Sequence, residues 1–151
     1  MSLESVRDFL SQNAPDIKIV ELDQDHTTAI ISELWGVSPA QVAKTLLLRR
    51  GEEWVLVVTC GDARLDNRKC KETFGGKTKM AEPNEAEAVT GHPVGGVCPL
   101  GLRSPLRVYF DIRLKQFTDV VPGAGSKRHA FRISPSRLAA LANADWVDIC
   151  T

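Results

Sequence analysis

Two apolar runs, KTLLLRR (Lys44–Arg50) and WVLVVTC (Trp54–Cys60), flank Gly51-Glu52-Glu53 and constrain the fold more than any other feature of the chain. Runs of this length bounded by a turn signal read as a β-hairpin. The hairpin must be completed by further elements. Ser2 precedes Val6, Phe9 and Leu10 at helical spacing, which predicts an N-terminal helix ending near Pro15. IKIVEL (Ile17–Leu22) alternates like a strand, Thr28–Trp35 reads as a helix closed by Gly36, and Ser38-Pro39 starts another short helix.

Beyond the hairpin, helices are expected over Asp66–Phe74 and over Glu82–Thr90 from Pro83 onward. GHPVGGVCPLGL (Gly91–Leu102) is too apolar for a linker and too rich in breakers for a regular element, so it should be an ordered, specifically shaped loop. RVYFDI, FTDVV, AFRI and WVDIC read as strands, GAGS (Gly123–Ser126) as a tight loop, and Ser134-Pro135 as a helix start. No regular βαβ period appears. The expected class is therefore α/β of the α+β type, a mixed, largely antiparallel sheet surrounded by short helices.

With 151 residues, 43% of them hydrophobic, the chain has enough apolar material for one core but not for two, so residues 1–151 are read as a single domain. No apolar run reaches the roughly 18–20 residues of a membrane span. The start MSLESVRDFL lacks the basic-then-apolar order of a signal peptide. A soluble, cytoplasmic protein is expected. Cys60, Cys70, Cys98 and Cys150 form no CxxC pair, which argues against a disulfide scaffold and a zinc knuckle and favours reduced thiols.

The formal net charge is zero, yet Gly101–Arg137 holds eight basic residues against two acidic ones. If the fold gathers these cations on one face, they form a phosphate-binding surface; otherwise they are solvated loop charges.

Three features suggest chemistry. Strand periodicity places Lys44 on the face of Leu46 and Leu48, either as a strand-end lysine reaching water or as a half-buried ammonium facing a pocket. Gly95-Gly96-Val97-Cys98-Pro99-Leu100-Gly101 could present backbone amides to a carbonyl oxygen that gains charge during acyl transfer, or could merely turn a corner. The third feature is Gly123–Ser126 with His129 beyond it. No GxxxxGK[ST] or GxGxxG fingerprint, no Ser/His/Asp set in plausible order and no HExxH or Cys/His metal pattern is present, so neither a cofactor nor a metal is expected. Cys98 could be a nucleophile but reads better as a small packed residue.

Taken in order, VAKTLLLR, VVTCGDARLD, AEPNEAEAVTGHPVGGVCPLGL, VYFD and GAGS resemble the YbaK/ProX family of aminoacyl-tRNA deacylases, which is also similar to the insertion domain of bacterial prolyl-tRNA synthetase. The likeness runs from about Thr28 to the C-terminus. Its most specific parts are the Lys44-Thr45 pair at a strand start and the GxxxP loop, Gly95 to Pro99. Near Phe131 the sequence departs from YbaK itself, with no acidic residue at the corresponding place.

The resemblance implies hydrolysis of the ester joining a mischarged small amino acid (alanine, cysteine or serine) to the terminal adenosine of tRNA, with tRNA(Pro) as the expected carrier. It implies that Lys44 holds the substrate's terminal region and that Gly95 and Gly96 help fix the aminoacyl carbonyl. Thr28, Val97, Cys98, Pro99, Gly101, Gly125, Ser126 and His129 would line the substrate site. A vicinal ribose hydroxyl would help to activate water, while the protein supplies positioning and carbonyl polarisation. The implied partners are the acceptor end of aminoacyl-tRNA and prolyl-tRNA synthetase. Two other classes stay open: a non-catalytic tRNA- or synthetase-binding module of the same fold, and an enzyme acting on a small carbonyl compound through a Schiff base on Lys44.

Overall fold

In the computed structural model, which describes residues 2–25 and 27–151, the hairpin forms the centre of the molecule. In chain order the elements are α1 (Ser2–Asn13), β1 (Val20–Glu21), α2 (Thr28–Trp35), β2 (Lys44–Arg50), β3 (Glu53–Thr59), α3 (Asn67–Phe74), β4 (Thr78–Met80), α4 (Pro83–Thr90), β5 (Arg107–Asp111), β6 (His129–Ala130), α5 (Pro135–Leu141) and β7 (Asp145–Val147). Single 3-10 turns occupy Pro39–Gln41 and Ile112–Gln116.

The main sheet runs β4-β2-β3-β5-β7. β2 pairs antiparallel with β3 and β4, whereas β3–β5 and β5–β7 are parallel. This is the expected mixed sheet, with its parallel ladders confined to one flank. Burial on both faces explains why β3 is almost continuously apolar. Leu47, Leu56, Val58, Val108 and Phe110 share a core with Val6 and Leu10 of α1 and Leu138 of α5. Leu48, Val55, Val57 and Tyr109 pack with Cys70 and Phe74 of α3.

Local signals set the helix starts. Thr27 Oγ1 accepts from Ile30 N (3.2 Å), Asp66 Oδ1 from Lys69 N (3.0 Å) and Ser134 Oγ from Arg137 N (3.3 Å), each satisfying an amide that the helix itself leaves unpaired. Pro83 and Pro135 occupy first-turn positions, where no donor is needed.

Several expected strands are shorter or displaced. Glu53 belongs to β3, opposite Arg50, so the hairpin turn is Gly51-Glu52 rather than three residues. Of IKIVEL only Val20–Glu21 is strand, paired with β6. FTDVV and AFRI are joined by the isolated bridge Val120↔Ile133, while Ala130 belongs to β6 and also bridges Gly123 of the GAGS loop. Pro122 lies between these bridges and has no N–H to give, which breaks the ladder. The last strand is Asp145–Val147 rather than WVDIC, and Cys150 bridges Leu65. β4 was not anticipated: it is short, and two of its three residues are exposed.

Candidate functional site

The site begins with an incomplete edge. β4 covers β2 only at Leu48–Arg50, and Ala81 N adds one bond to Leu47 O (3.0 Å) before Pro83 turns the chain into α4. Among the described residues, Lys44–Leu46 therefore has no strand on that side. A cavity of about 340 Å³ lies there, lined by Thr28, Lys44, Thr45, Ala86, Gly95 and Val97 among others. This size suits a small-molecule site, for which roughly 300–1,000 Å³ is usual.

The loop that closes the cavity has a fixed shape. Gly96 N donates to Pro93 O (2.9 Å), closing a four-residue turn whose third residue, Gly95, has φ 92. That position in a type II turn requires a positive φ, which glycine accepts without strain. Gly96 is glycine for a different reason: a Cβ there would lie 2.6–2.8 Å from the backbone of Ser126. The two glycine loops are thus packed backbone to backbone. The N-terminus of α1 supports both, through Ser5 Oγ donating to Gly101 O (2.8 Å) and Ser2 Oγ donating to Gly125 O. The Gly96 amide is used inside the turn, and Val94, Gly95 and Val97 are the loop residues that meet the cavity.

Lys44 is half-buried on the face of Leu46 and Leu48, and its Nζ donates to Ala63 O (2.6 Å) in the turn after β3. Lys44 lines the cavity, but its ammonium is held by the Ala63 carbonyl, which is not part of the cavity lining, rather than extended into water. Thr45, on the opposite face, is 9% exposed, and its Oγ1 is buried without a partner.

The structure separates the other sequence candidates. Thr28, Lys44, Gly95 and Val97 line the cavity, and Gly96 braces it from behind. Cys98 and Pro99 are buried in the loop's interior, and Gly101 and Gly125 pack against α1. Burial pushes the Cys98 thiol up to about 12, so it is a packed, un-ionised group and not a nucleophile. Ser126 Oγ and His129 Nδ1 are 2.9 Å apart but do not line the cavity.

Sequence reading overlooked His92, which is fully buried. Its Nε2 lies 2.9 Å from Leu100 O, and since a carbonyl only accepts, Nε2 carries the proton. This bond spans the base of the loop that holds Gly95 to Pro99. Burial lowers the His92 pKa and favours the neutral ring. Thr27 and Thr45 were also missed as lining residues, and of the Gly123–Ser126 loop only Gly123 meets the cavity. The Lys44-Thr45 pair at the strand start was the available signal for Thr45, although the side chains of neighbouring strand residues point to opposite faces.

The cations of Gly101–Arg137 do not gather as a bare phosphate-binding face. Arg107, Arg113, Arg128 and Arg137 pair with Asp145, Asp148, Asp25 and Asp16 respectively. Arg103 donates to Ala88 O, and Lys115 and Arg132 lie over Trp146 and Trp35. Lys127 is exposed, and its side chain lies against Gly95 beside the cavity.

Among the described residues, no group of three or more His, Cys, Asp or Glu is placed to hold a metal ion, and no helix is long and apolar enough to cross a membrane.

Comparison with known proteins is consistent along almost the whole chain. The chain is 39% identical over 153 residues to the uncharacterized protein YwhH of Bacillus subtilis (strain 168), covering 99% of this chain and 98% of that protein. It is 35% identical over 118 residues to a proline–tRNA ligase of Nitratidesulfovibrio vulgaris (strain DP4), covering 77% of this chain but 21% of the synthetase. EbsC of Enterococcus faecalis, named as a proposed Cys-tRNA(Pro)/Cys-tRNA(Cys) deacylase, is 26% identical over 131 residues, with 85% and 80% of the two chains covered. A solved structure described as a proposed trans-editing enzyme for prolyl-tRNA synthetase superposes with a TM-score of 0.93 at 30% identity, over 99% of this chain and 97% of the other. The family profile for the aminoacyl-tRNA editing domain matches residues 24–141, and this chain belongs to that family.

Proposed function

We propose that the protein is a trans-editing deacylase that hydrolyses the ester of a mischarged small amino acid on tRNA, with tRNA(Pro) as the carrier. The observation that carries this reading is the cavity on the uncovered edge of β2, where Lys44 and the Gly95–Val97 loop meet in a chain of the editing family. The relatives fused to or named for prolyl-tRNA synthetase support the choice of tRNA.

The chemistry follows from the groups present. The scissile ester needs a positioned carbonyl, donors for the oxygen that becomes negative, and a water molecule. The amides of Gly95 and Val97 can serve as donors in a site that needs no rearrangement during the reaction. Lys44 supplies a point charge for the aminoacylated end of the tRNA. Because the Cys98 thiol is packed and un-ionised, direct attack by water, assisted by the vicinal ribose hydroxyl, fits better than an acyl-enzyme.

Selectivity for small side chains rests on the cavity's modest size and on a lining that includes no aromatic residue among those described. Its hydroxyls come from Thr27, Thr28 and Thr45, not from Ser126 as the sequence suggested. A hydrophobic pocket separates side chains differing by one methylene by only about 1–3 kcal/mol, so overlap among alanine, serine and cysteine is expected and tRNA identity must sharpen the choice. The test is a deacylation panel of alanyl-, cysteinyl-, seryl- and threonyl-tRNA on matched and mismatched acceptors. Efficient release of phenylalanine, or no release from any member, defeats the proposal. Binding of charged tRNA without hydrolysis identifies a non-catalytic module instead.

A further inference from the structure

The incomplete edge of β2 leaves one rung of the sheet unmade. In an antiparallel strand the N–H and C=O of one residue point to the same side, and that side alternates along the chain. Leu47 O receives Ala81 N, and Arg49 sits opposite Lys79 of β4. Ala43 N donates to Val121 O (3.1 Å). The β2–β3 register runs unbroken from Lys44 to Arg50, so no bulge disturbs the alternation. Thr45 N–H and C=O therefore point away from β3, into the gap between the Ala43 and Leu47 rungs. Continuing the β4 ladder would bring Pro83 opposite Thr45, but Pro83 opens α4 and the chain has already turned away. Among the described residues nothing pairs with the Thr45 main chain. The place is not open solvent, since Thr45 is 9% exposed and lines the cavity. Its buried Oγ1 is without a partner as well, so polar groups of one residue are left unmatched at the cavity wall.

A single aminoacyl group carries the complementary pair, an α-ammonium that donates and a carbonyl oxygen that accepts, on either side of one α-carbon. That is the pair a strand residue offers across a narrow antiparallel rung. We propose that the main chain of Thr45 is the dock for the aminoacyl moiety, with N–H donating to the ester carbonyl oxygen and C=O accepting from the α-ammonium. This rests on the editing reading and deepens it. The contact is indifferent to the side chain and accounts for how the backbone of any small amino acid is held, leaving discrimination to the rest of the cavity. The same N–H adds a donor at the oxygen that becomes negative when water attacks.

Two measurements test it. The first is residue-resolved amide exchange of the ¹⁵N-labelled protein, with and without a non-hydrolysable 3′-alanylamino-3′-deoxyadenosine. Thr45 is expected to exchange rapidly in the free protein and to become protected on binding, while Leu46, whose amide belongs to the β2–β3 ladder, is protected in both states. The second is single-turnover deacylation by Thr45→Pro and Thr45→Val. Proline removes only an N–H that faces out of the ladder, the position at which a sheet tolerates it. Thr45→Pro should lose about 100-fold in rate, as for removal of one oxyanion donor, and should fall well below Thr45→Val, which keeps the N–H and removes only the lining hydroxyl. If Thr45→Pro fails to fold, the exchange measurement decides. Binding that perturbs Lys44 and Gly95 while the Thr45 amide stays unprotected overturns this inference and leaves the editing reading standing. Absence of binding together with absence of deacylation overturns both.

Discussion

Gly96→Ala is the sharpest test of how the site is built. The added Cβ would sit 2.6 Å from the Ser126 carbonyl carbon and 2.7 Å from its nitrogen, both backbone atoms that cannot rotate away. Ordinary contact begins near 3.4 Å, so the two loops must part by about 0.8 Å. Overpacking of this kind costs about 1–3 kcal/mol, which for a chain of this size lowers the melting temperature by roughly 2–12 °C. The catalytic effect should be larger, because a displacement near 1 Å in a positioned group costs on the order of 100-fold in rate. Gly76→Ala is the matched control: no atom lies within 4 Å of its would-be Cβ, and its φ is not positive. Thermal unfolding and single-turnover deacylation of both variants are compared with the unaltered protein. A Gly96→Ala protein that melts and hydrolyses as the parent does would refute the claim that the Gly96–Ser126 contact sets the loop.

Four further outcomes are expected. Lys44→Ala should lose on the order of 100-fold in single-turnover hydrolysis with little change in melting, whereas Lys115→Ala, whose ammonium lies over Trp146, should leave the chemical step unchanged; equal rates would remove Lys44 from the mechanism. Cys98→Ala should keep most of the hydrolytic rate at a stability cost of about 1 kcal/mol, and a dead, folded variant would reinstate a thiol nucleophile. For His92 the native pKa lies below the ordinary 6.5, so the unfolded chain takes up the proton first as pH falls. The stability from neutral His92 is therefore present above about pH 6.5 and is lost as pH falls through the native value; melting against pH should show this slope, and His92→Gln should flatten it. Lys127→Ala should weaken tRNA binding and reduce the slope of log affinity against log salt by about one, and an unchanged slope would place the phosphate contact elsewhere.

Much of the architecture was legible because its causes are local. Two apolar runs either side of a turn gave β2 and β3, and Asp66, Pro83 and Ser134-Pro135 marked helix starts within the first turn of each helix. The small sheet was over-read: FTDVV and AFRI have strand-like composition, but the ladder between them is broken at Pro122 and reduced to an isolated bridge. β4 was missed for the opposite reason, since three residues, Thr78, Lys79 and Met80, two of them exposed, carry no periodic signal and are strand only because β2 offers them an edge.

The candidate site divides in the same way. Sequence alone determined that Lys44 shares a face with Leu46 and Leu48, that Gly91–Leu102 is a shaped loop, and that the order of these motifs resembles an editing family. Tertiary structure decided that Gly96 rests on the Ser126 backbone, that most cations of Gly101–Arg137 are already engaged, and that the β2 edge is bare at Thr45. The physical reason is range. A helix cap or a strand period acts between residues a few positions apart, whereas Gly96 with Ser126, Asp16 with Arg137, and the rung missing opposite Thr45 depend on segments that only the folded chain brings together.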